Sequence, residues 1–187
     1  MAEREAFSHF IAPGSVVAIS GIMGAGKSAV AQALAERLPR AAHVRGDLFR
    51  RMIVSGRAEV VPDADATALD QLQLRYRLAR LVADGYADAG FVAVYQDIVL
   101  GADLERLPGR IRTRPLFVVV LAPSPDIVRR RAETRDKASG YGAWTVKALD
   151  DMLRRTPRIG LRLDTSEQTV DETVDEVLRR AAEARIE

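Results

Sequence analysis

Two hydrophobic rhythms alternate along this chain. Residues 15–20, 91–97 and 116–121 are short runs of apolar, largely β-branched residues. Runs of that length with little polar alternation predict strands of a parallel sheet covered on both faces. Shorter runs at 42–45 and 160–163 predict two further strands. Between them the spacing changes. Ala29, Val30, Ala33, Leu34 and Leu38 predict a helix over 27–38, ended by Pro39. Leu69, Leu72, Tyr76, Ala79, Ala83 and Tyr86 recur every three or four positions and predict a core helix over 67–87. Ser124 followed by Pro125 reads as a helix start, and Thr169 with Glu172 as a capping box opening a last helix.

Strands alternating with helices imply an α/β fold with right-handed crossovers. In such a sheet, ligands bind beyond the carboxyl ends of the strands. The chemistry is therefore expected after Ser20, Arg45, Asp97, Leu121 and Leu163. No internal repeat or low-complexity linker divides the 187 residues, which read as a single domain over 1–187.

Composition narrows the function classes. The formal net charge of +2 provides no basic excess for a dedicated nucleic-acid binder. No cysteine is present, which excludes disulfides and thiolate metal sites, and His9 and His43 are too few for a histidine zinc site. The mixed charged and polar opening predicts no signal peptide. No apolar run approaches the roughly 18 residues of a membrane helix. The expected location is the cytoplasm, with no membrane partner; oligomeric state is left open.

The sharpest motif is Gly21-Ile-Met-Gly-Ala-Gly-Lys-Ser28, a complete G-x-x-x-x-G-K-[ST] between a strand and a helix. At ordinary residue frequencies its chance occurrence is roughly 4 × 10⁻⁵ per position. Gly21, Gly24 and Gly26 permit a loop that turns its N–H groups toward phosphate oxygens. The N–H groups of Met23, Gly24, Ala25, Gly26, Lys27, Ser28 and Ala29 are the expected cradle, aided by the helix dipole. Lys27 is placed to reach the β- and γ-phosphates of ATP, and Ser28 to ligate Mg²⁺.

Asp97 ends an apolar strand, where a carboxylate serves Mg²⁺ directly or through water. Asp47 follows the second strand, where it can accept the proton of an attacking hydroxyl and can also cap a helix beginning at Leu48, two compatible roles. Arg50 and Arg51, one turn later, are candidates to hold an anionic group of the acceptor. The basic segment around Arg129, Arg130, Arg131 and Arg135 precedes a Gly-rich stretch and suits an arginine-rich lid over about 126–144. Arg131 and Arg135 share a helical face and are the expected lid pair. Thr165 and Ser166 follow the last strand and are expected near the adenine. Trp144 reads as a packing anchor more than a substrate platform.

The loop 21–28, the Gly46-Asp47 step with its arginines, the basic lid and the ending Leu163 to Ser166 together resemble small P-loop kinases. The pattern covers nearly the whole chain, and is most similar to the group of chloramphenicol phosphotransferase and zeta-toxin kinases. That resemblance implies a three-layer P-loop fold with a five-stranded parallel sheet in the order 2-3-1-4-5. It implies Mg-ATP as donor, with Asp47 in the position of the group's catalytic base. The expected function is transfer of the γ-phosphate to a hydroxyl of a small metabolite or antibiotic. Gly46-Asp47-Leu48-Phe49-Arg50 also resembles a step of adenylate kinases, which keeps a nucleoside monophosphate kinase as the alternative. Gly21-Ile-Met-Gly24 departs from the Gly-x-Pro-Gly start usual there. A regulatory ATP-binding protein is a third reading; no Asn-Lys-x-Asp motif supports a guanine switch.

Overall fold

The computed structural model describes residues 11–133 and 143–187. In chain order the elements are β1 (Val16–Gly21), α1 (Lys27–Arg37), β2 (Ala41–Arg45), α2 (Gly46–Arg51), α3 (Ala66–Asp88), β3 (Val92–Gln96), α4 (Ala102–Arg110), β4 (Leu116–Leu121), α5 (Pro125–Glu133), α6 (Val146–Arg155), β5 (Leu161–Leu163), α7 (Val170–Arg179), α8 (Ala181–Ala184) and β6 (Arg185–Ile186). Strands β2-β3-β1-β4-β5 lie parallel in that order, as the resemblance implied. The short β6 adds an antiparallel pairing to the start of β4, which the sequence pattern does not reveal.

Every residue of β1, β3 and β4 is buried, so helices cover both faces of the central sheet. The edge strands β2 and β5 are only partly covered, which explains their weaker hydrophobic signal. Helix α3 buries Ala68, Tyr76, Ala79, Ala83 and Ala87. Small residues on that stripe let the helix approach the sheet closely. Its start is capped by Asp65, whose carboxylate accepts from the Ala68 N–H at 2.8 Å. The capping box at Thr169 and Glu172 opens α7 as read from the sequence.

Besides the four-residue α8, two longer helices escape the sequence reading. Helix α4 follows Gly101 and contains Pro108 and Gly109, residues that ordinarily signal a loop. Helix α6 is capped by Thr145, which accepts from the Ala148 N–H, and buries Leu149 and Leu153. That four-residue spacing after a cap was the available signal. Among the described residues no helix is long and apolar enough to cross a membrane.

Because the five main strands are parallel, their carboxyl ends open on one edge. Gly21, Arg45, Gln96, Leu121 and Leu163 stand there together.

Candidate active site

The loop between β1 and α1 is shaped by its glycines. Gly21 has φ +145°, and a Cβ there would lie 2.6 Å from the Leu121 carbonyl oxygen and 3.2 Å from the Ala25 Cβ. Only glycine fits between these two segments of the chain. Gly26 precedes α1 with φ 92° and makes no side-chain cap, and no acidic residue stands in the first turn. The N–H groups and positive end of α1 are thus directed at the loop without an internal carboxylate competing for them. Lys27 is buried, and its ammonium donates to the Ile22 carbonyl across the loop at 2.8 Å. Ser28 and Ala29 are exposed.

A cavity of about 150 Å³ opens against this loop. Gly24, Gly26, Lys27, Ser28, Asp47 and Asp97 line it together. Those residues are spread over more than seventy positions, and the strand order brings them to one place.

Asp47 stands in the first turn of α2, which begins at Gly46 rather than at Leu48. The expected capping role does not occur: Arg45 occupies the cap position, and no side-chain cap bond is made. Starting one residue after Asp47 was the wrong phase; the helix takes Asp47 inside, where its charge faces the positive helix end. Its Oδ2 lies 3.3 Å from Arg51 and 3.6 Å from Arg45, whereas its buried Oδ1 has no hydrogen-bond partner.

Asp97 is fully buried and engaged on both oxygens. Arg75 of α3 donates from Nε to Oδ2 at 2.9 Å and pairs through its second N–H with Oδ1. The Ile98 N–H donates to Oδ1 at 2.7 Å. The carboxylate presses against Gly46, where a Cβ would come within 1.9 Å of Oδ2. Burial alone would lower the Arg75 pKa, but the Asp97 charge and hydrogen bonds raise it, so the guanidinium is firmly charged. Burial and the Asp97 charge push the Tyr76 and Tyr95 phenols well above their ordinary range, which keeps both neutral.

Sequence reasoning passes over Arg75, which was absorbed into a core helix. It lines both the phosphate cavity and a second cavity of about 450 Å³. Met23 and Ile98 also line both, so the two are adjoining rooms of one site. Arg50 faces the larger cavity, in an ion pair with Glu59. Arg51 is not among its lining residues; its side chain is 64% exposed and turned to Asp47.

Arg131 of α5 crosses toward the loop. Its guanidinium donates to the Ala25 carbonyl at 3.3 Å and to the Thr165 carbonyl at 3.2 Å. It therefore joins the phosphate loop to the segment after β5. Arg135 and the rest of residues 134–142 of the expected lid lie outside the described residues. The Thr165 hydroxyl is buried without a partner. Ser166 is committed locally, accepting from the Ser124 N–H at 2.8 Å and donating to Asp164 at 2.5 Å. Trp144 is an anchor and a wall at once: its indole N–H donates to the Val60 carbonyl at 3.0 Å, while its ring lines the larger cavity.

Among the described residues, no group of three or more acidic or histidine side chains is placed to hold a metal alone. A Mg²⁺ bound here would complete its shell with water and phosphate oxygens, which is the habit of that ion. The exposed Ser28 hydroxyl fits such a site, and Asp97 stands behind it with its oxygens held by Arg75.

The model of an AAA domain family, AAA_33, matches residues 16–159. Among solved structures, a sugar kinase from Janibacter sp. HTCC2649 superposes with TM-score 0.65 at 17% identity, over 91% of this chain and 95% of the other. The Mycobacterium tuberculosis APS kinase CysC, solved with AMPPNP and APS, gives TM-score 0.65 at 22% identity, over 90% of this chain and 97% of that one. The Deinococcus radiodurans tunicamycin resistance protein gives TM-score 0.63 at 17% identity, over 92% and 98%. At such identities the likeness establishes the shared fold. No curated protein matches by sequence.

Proposed function

The chain belongs to the AAA domain family AAA_33, and from that membership we propose that it is a phosphotransferase moving the γ-phosphate of ATP to a hydroxyl of a small molecule. The observation that carries this reading is the convergence of Lys27, Ser28 and Asp47 on one cavity that adjoins a larger, separate room. A nucleotide-binding protein without an acceptor has no need of the second room. The AMPPNP held by the APS kinase structure supports a nucleotide in the first.

In this reading the N–H groups of residues 23–29 cradle the phosphates. Lys27 leaves the Ile22 carbonyl to meet the phosphate oxygens, and Arg131 approaches from the opposite wall. Both neutralise charge that develops on the migrating phosphoryl group. Ser28 would hold Mg²⁺, with Asp97 acting behind it through water; the ion would supply further charge neutralisation between the phosphates. Asp47 takes the proton of the acceptor hydroxyl as its oxygen attacks phosphorus. Asp47 lines the same cavity as Lys27 and Ser28, which sets its carboxylate where that hydroxyl would stand. Positioning and electrostatics perform the reaction, and no covalent intermediate on the protein is required. Such an enzyme works in the cytoplasm, where Mg-ATP is supplied.

The test is ADP release by the full chain with Mg-ATP across a library of hydroxyl compounds. Lys27→Ala is expected to abolish turnover. Asp47→Asn is expected to lower turnover by about 10²–10⁴-fold while ATP still raises the melting temperature. Full activity in Asp47→Asn would remove the base assignment.

A further inference from the structure

The larger cavity carries information about the acceptor. Its wall is mostly apolar, with Val61, Leu69, Leu72, Leu100, Trp144 and Met152 among the apolar side chains that line it. Four charged side chains also reach it, and each is already matched. Arg50 pairs with Glu59. Arg75 is held on two N–H groups by Asp97. Asp103 faces Arg110 at 3.7 Å and receives the Gln73 amide at 3.2 Å. Two arginines and two carboxylates line the cavity, so its described wall is neutral.

An anionic acceptor bound here would have to draw an arginine away from its carboxylate. The Arg75–Asp97 pair is buried, and breaking it leaves an uncompensated charge, which is strongly unfavourable; the Arg50–Glu59 pair, with Glu59 62% exposed, parts at little cost but is balanced in charge. A polyhydroxylated sugar would bury its hydroxyls against leucine, valine and methionine, at a cost for each one left unbonded. A neutral molecule with an apolar body meets neither penalty. The volume of about 450 Å³ suits a ligand of drug-like size, and the Trp144 ring offers a flat apolar face.

On the phosphotransferase reading above, we infer that the acceptor is a neutral, predominantly apolar alcohol that carries ring structure. Its body lies against Trp144, Leu69 and Leu72, and its hydroxyl reaches through the shared wall of Met23, Arg75 and Ile98 toward Asp47. In the transfer, the acceptor oxygen forms a bond to the γ-phosphorus, the bond from that phosphorus to the β-γ bridging oxygen breaks, ADP leaves, and Asp47 receives the hydroxyl proton.

Trp144 is the sole tryptophan of the chain, so its emission reports occupancy of this cavity independently of turnover. The full chain is titrated with 2-(decahydronaphthyl)ethanol as a neutral probe that does not absorb in the tryptophan band, and in parallel with AMP, UMP and gluconate. ADP release is followed in the same mixtures with Mg-ATP. The neutral alcohol is expected to change the emission saturably, and the three anions are not. Leu69→Asp, at a helix position that is 49% exposed and so tolerant of the change, is expected to weaken the alcohol by about tenfold or more. Its ATP-induced thermal shift is expected to stay as in the wild type. Saturable binding of an anion with none of the alcohol overturns the inference, whatever the turnover. Equal alcohol binding by Leu69→Asp overturns it as well. Alcohol binding without ADP release from any compound in a broad hydroxyl library leaves this ligand class standing and removes the phosphotransferase reading instead.

Discussion

Arg75 holds Asp97 with two N–H groups of one guanidinium, across 22 positions of sequence, in a site where the Asp97 side chain is fully buried and that of Arg75 is 14% exposed. Parallel donation of this kind fixes orientation as well as charge. The pair also ties helix α3 to the end of β3, where the two cavities meet.

Removing one partner leaves the other buried and charged. Asp97→Leu is therefore expected to lower unfolding stability by about 3–5 kcal/mol. The double variant Arg75→Met with Asp97→Leu is expected to recover a large part of that loss, because no buried charge then remains. Urea unfolding of the two singles and the double measures the coupling. Additive losses would mean that the pair contributes nothing as a pair.

Gly46 gives a second, purely steric prediction. A Cβ at this position would fall 1.9 Å from the Asp97 carboxylate, so Gly46→Ala must displace either Asp97 or the start of α2. The expected loss is about 1–3 kcal/mol, the usual range for overpacking. Turnover should fall with it, because Asp47 is the next residue. Gly85→Ala is the control. It sits within α3 with open space where its Cβ would go, and is expected to stabilise by about 0.5–1 kcal/mol. Melting curves of both variants check the contrast.

The order of these elements and the phosphate loop were legible for a simple reason. Strands buried on both faces write continuous apolar runs, and a phosphate cradle needs glycines at fixed places. Asp47 was legible because strand ends are where such sheets bind ligands. Arg75 was not, because a helix with a good apolar stripe explains itself. The signal lay in its position: Arg75 stands beside Tyr76 of the stripe and three positions after Leu72, where a charge turned toward the sheet needs a partner. That partner, Asp97, becomes visible only once the sheet places β3 against α3. The choice between Arg50 and Arg51 was equally hidden, since adjacent helical residues point about 100° apart and the phase depends on where α2 begins. Helix α4 was hidden by Pro108 and Gly109, which tertiary packing overrides.

Arg131 spans two carbonyls, of Ala25 in the phosphate loop and of Thr165 after β5. A planar fork presents its two terminal nitrogens to the two carbonyls in a fixed geometry, which a flexible lysine ammonium does not reproduce. Arg131→Ala is expected to lower kcat by about 10²–10³-fold, the size of loss found when one charge-stabilising donor is removed. Arg131→Lys is expected to restore only part of it. Steady-state kinetics over ATP concentration separates this from a binding defect: a rise in KM alone, with kcat unchanged, would make Arg131 a nucleotide-binding residue and not a stabiliser of the transferred group.

His43 sets the pH dependence expected near neutrality. Its Nδ1 lies 2.8 Å from the Gln32 side-chain oxygen Oε1 and so donates to it, while its Nε2 is buried without a partner. Protonation would place an N–H on Nε2 with nothing to accept it, beside Arg45. Burial and the Arg45 charge accordingly lower the His43 pKa, and the weaker opposing pull of Asp47 does not restore it. The sign follows from proton counting. Between the lowered folded pKa and the ordinary unfolded value of about 6.5, the unfolded chain binds more protons than the folded one. The stability tied to neutral His43 is fully present above about pH 6.5 and declines as the pH falls from there toward the folded pKa. Urea midpoints measured between pH 8 and pH 5 should therefore drop below neutrality. His43→Gln keeps a donor for Gln32 but cannot acquire charge, so it should flatten that part of the profile. An unchanged slope in His43→Gln would assign the loss to other groups, with the carboxylates that titrate at lower pH the first to be tested.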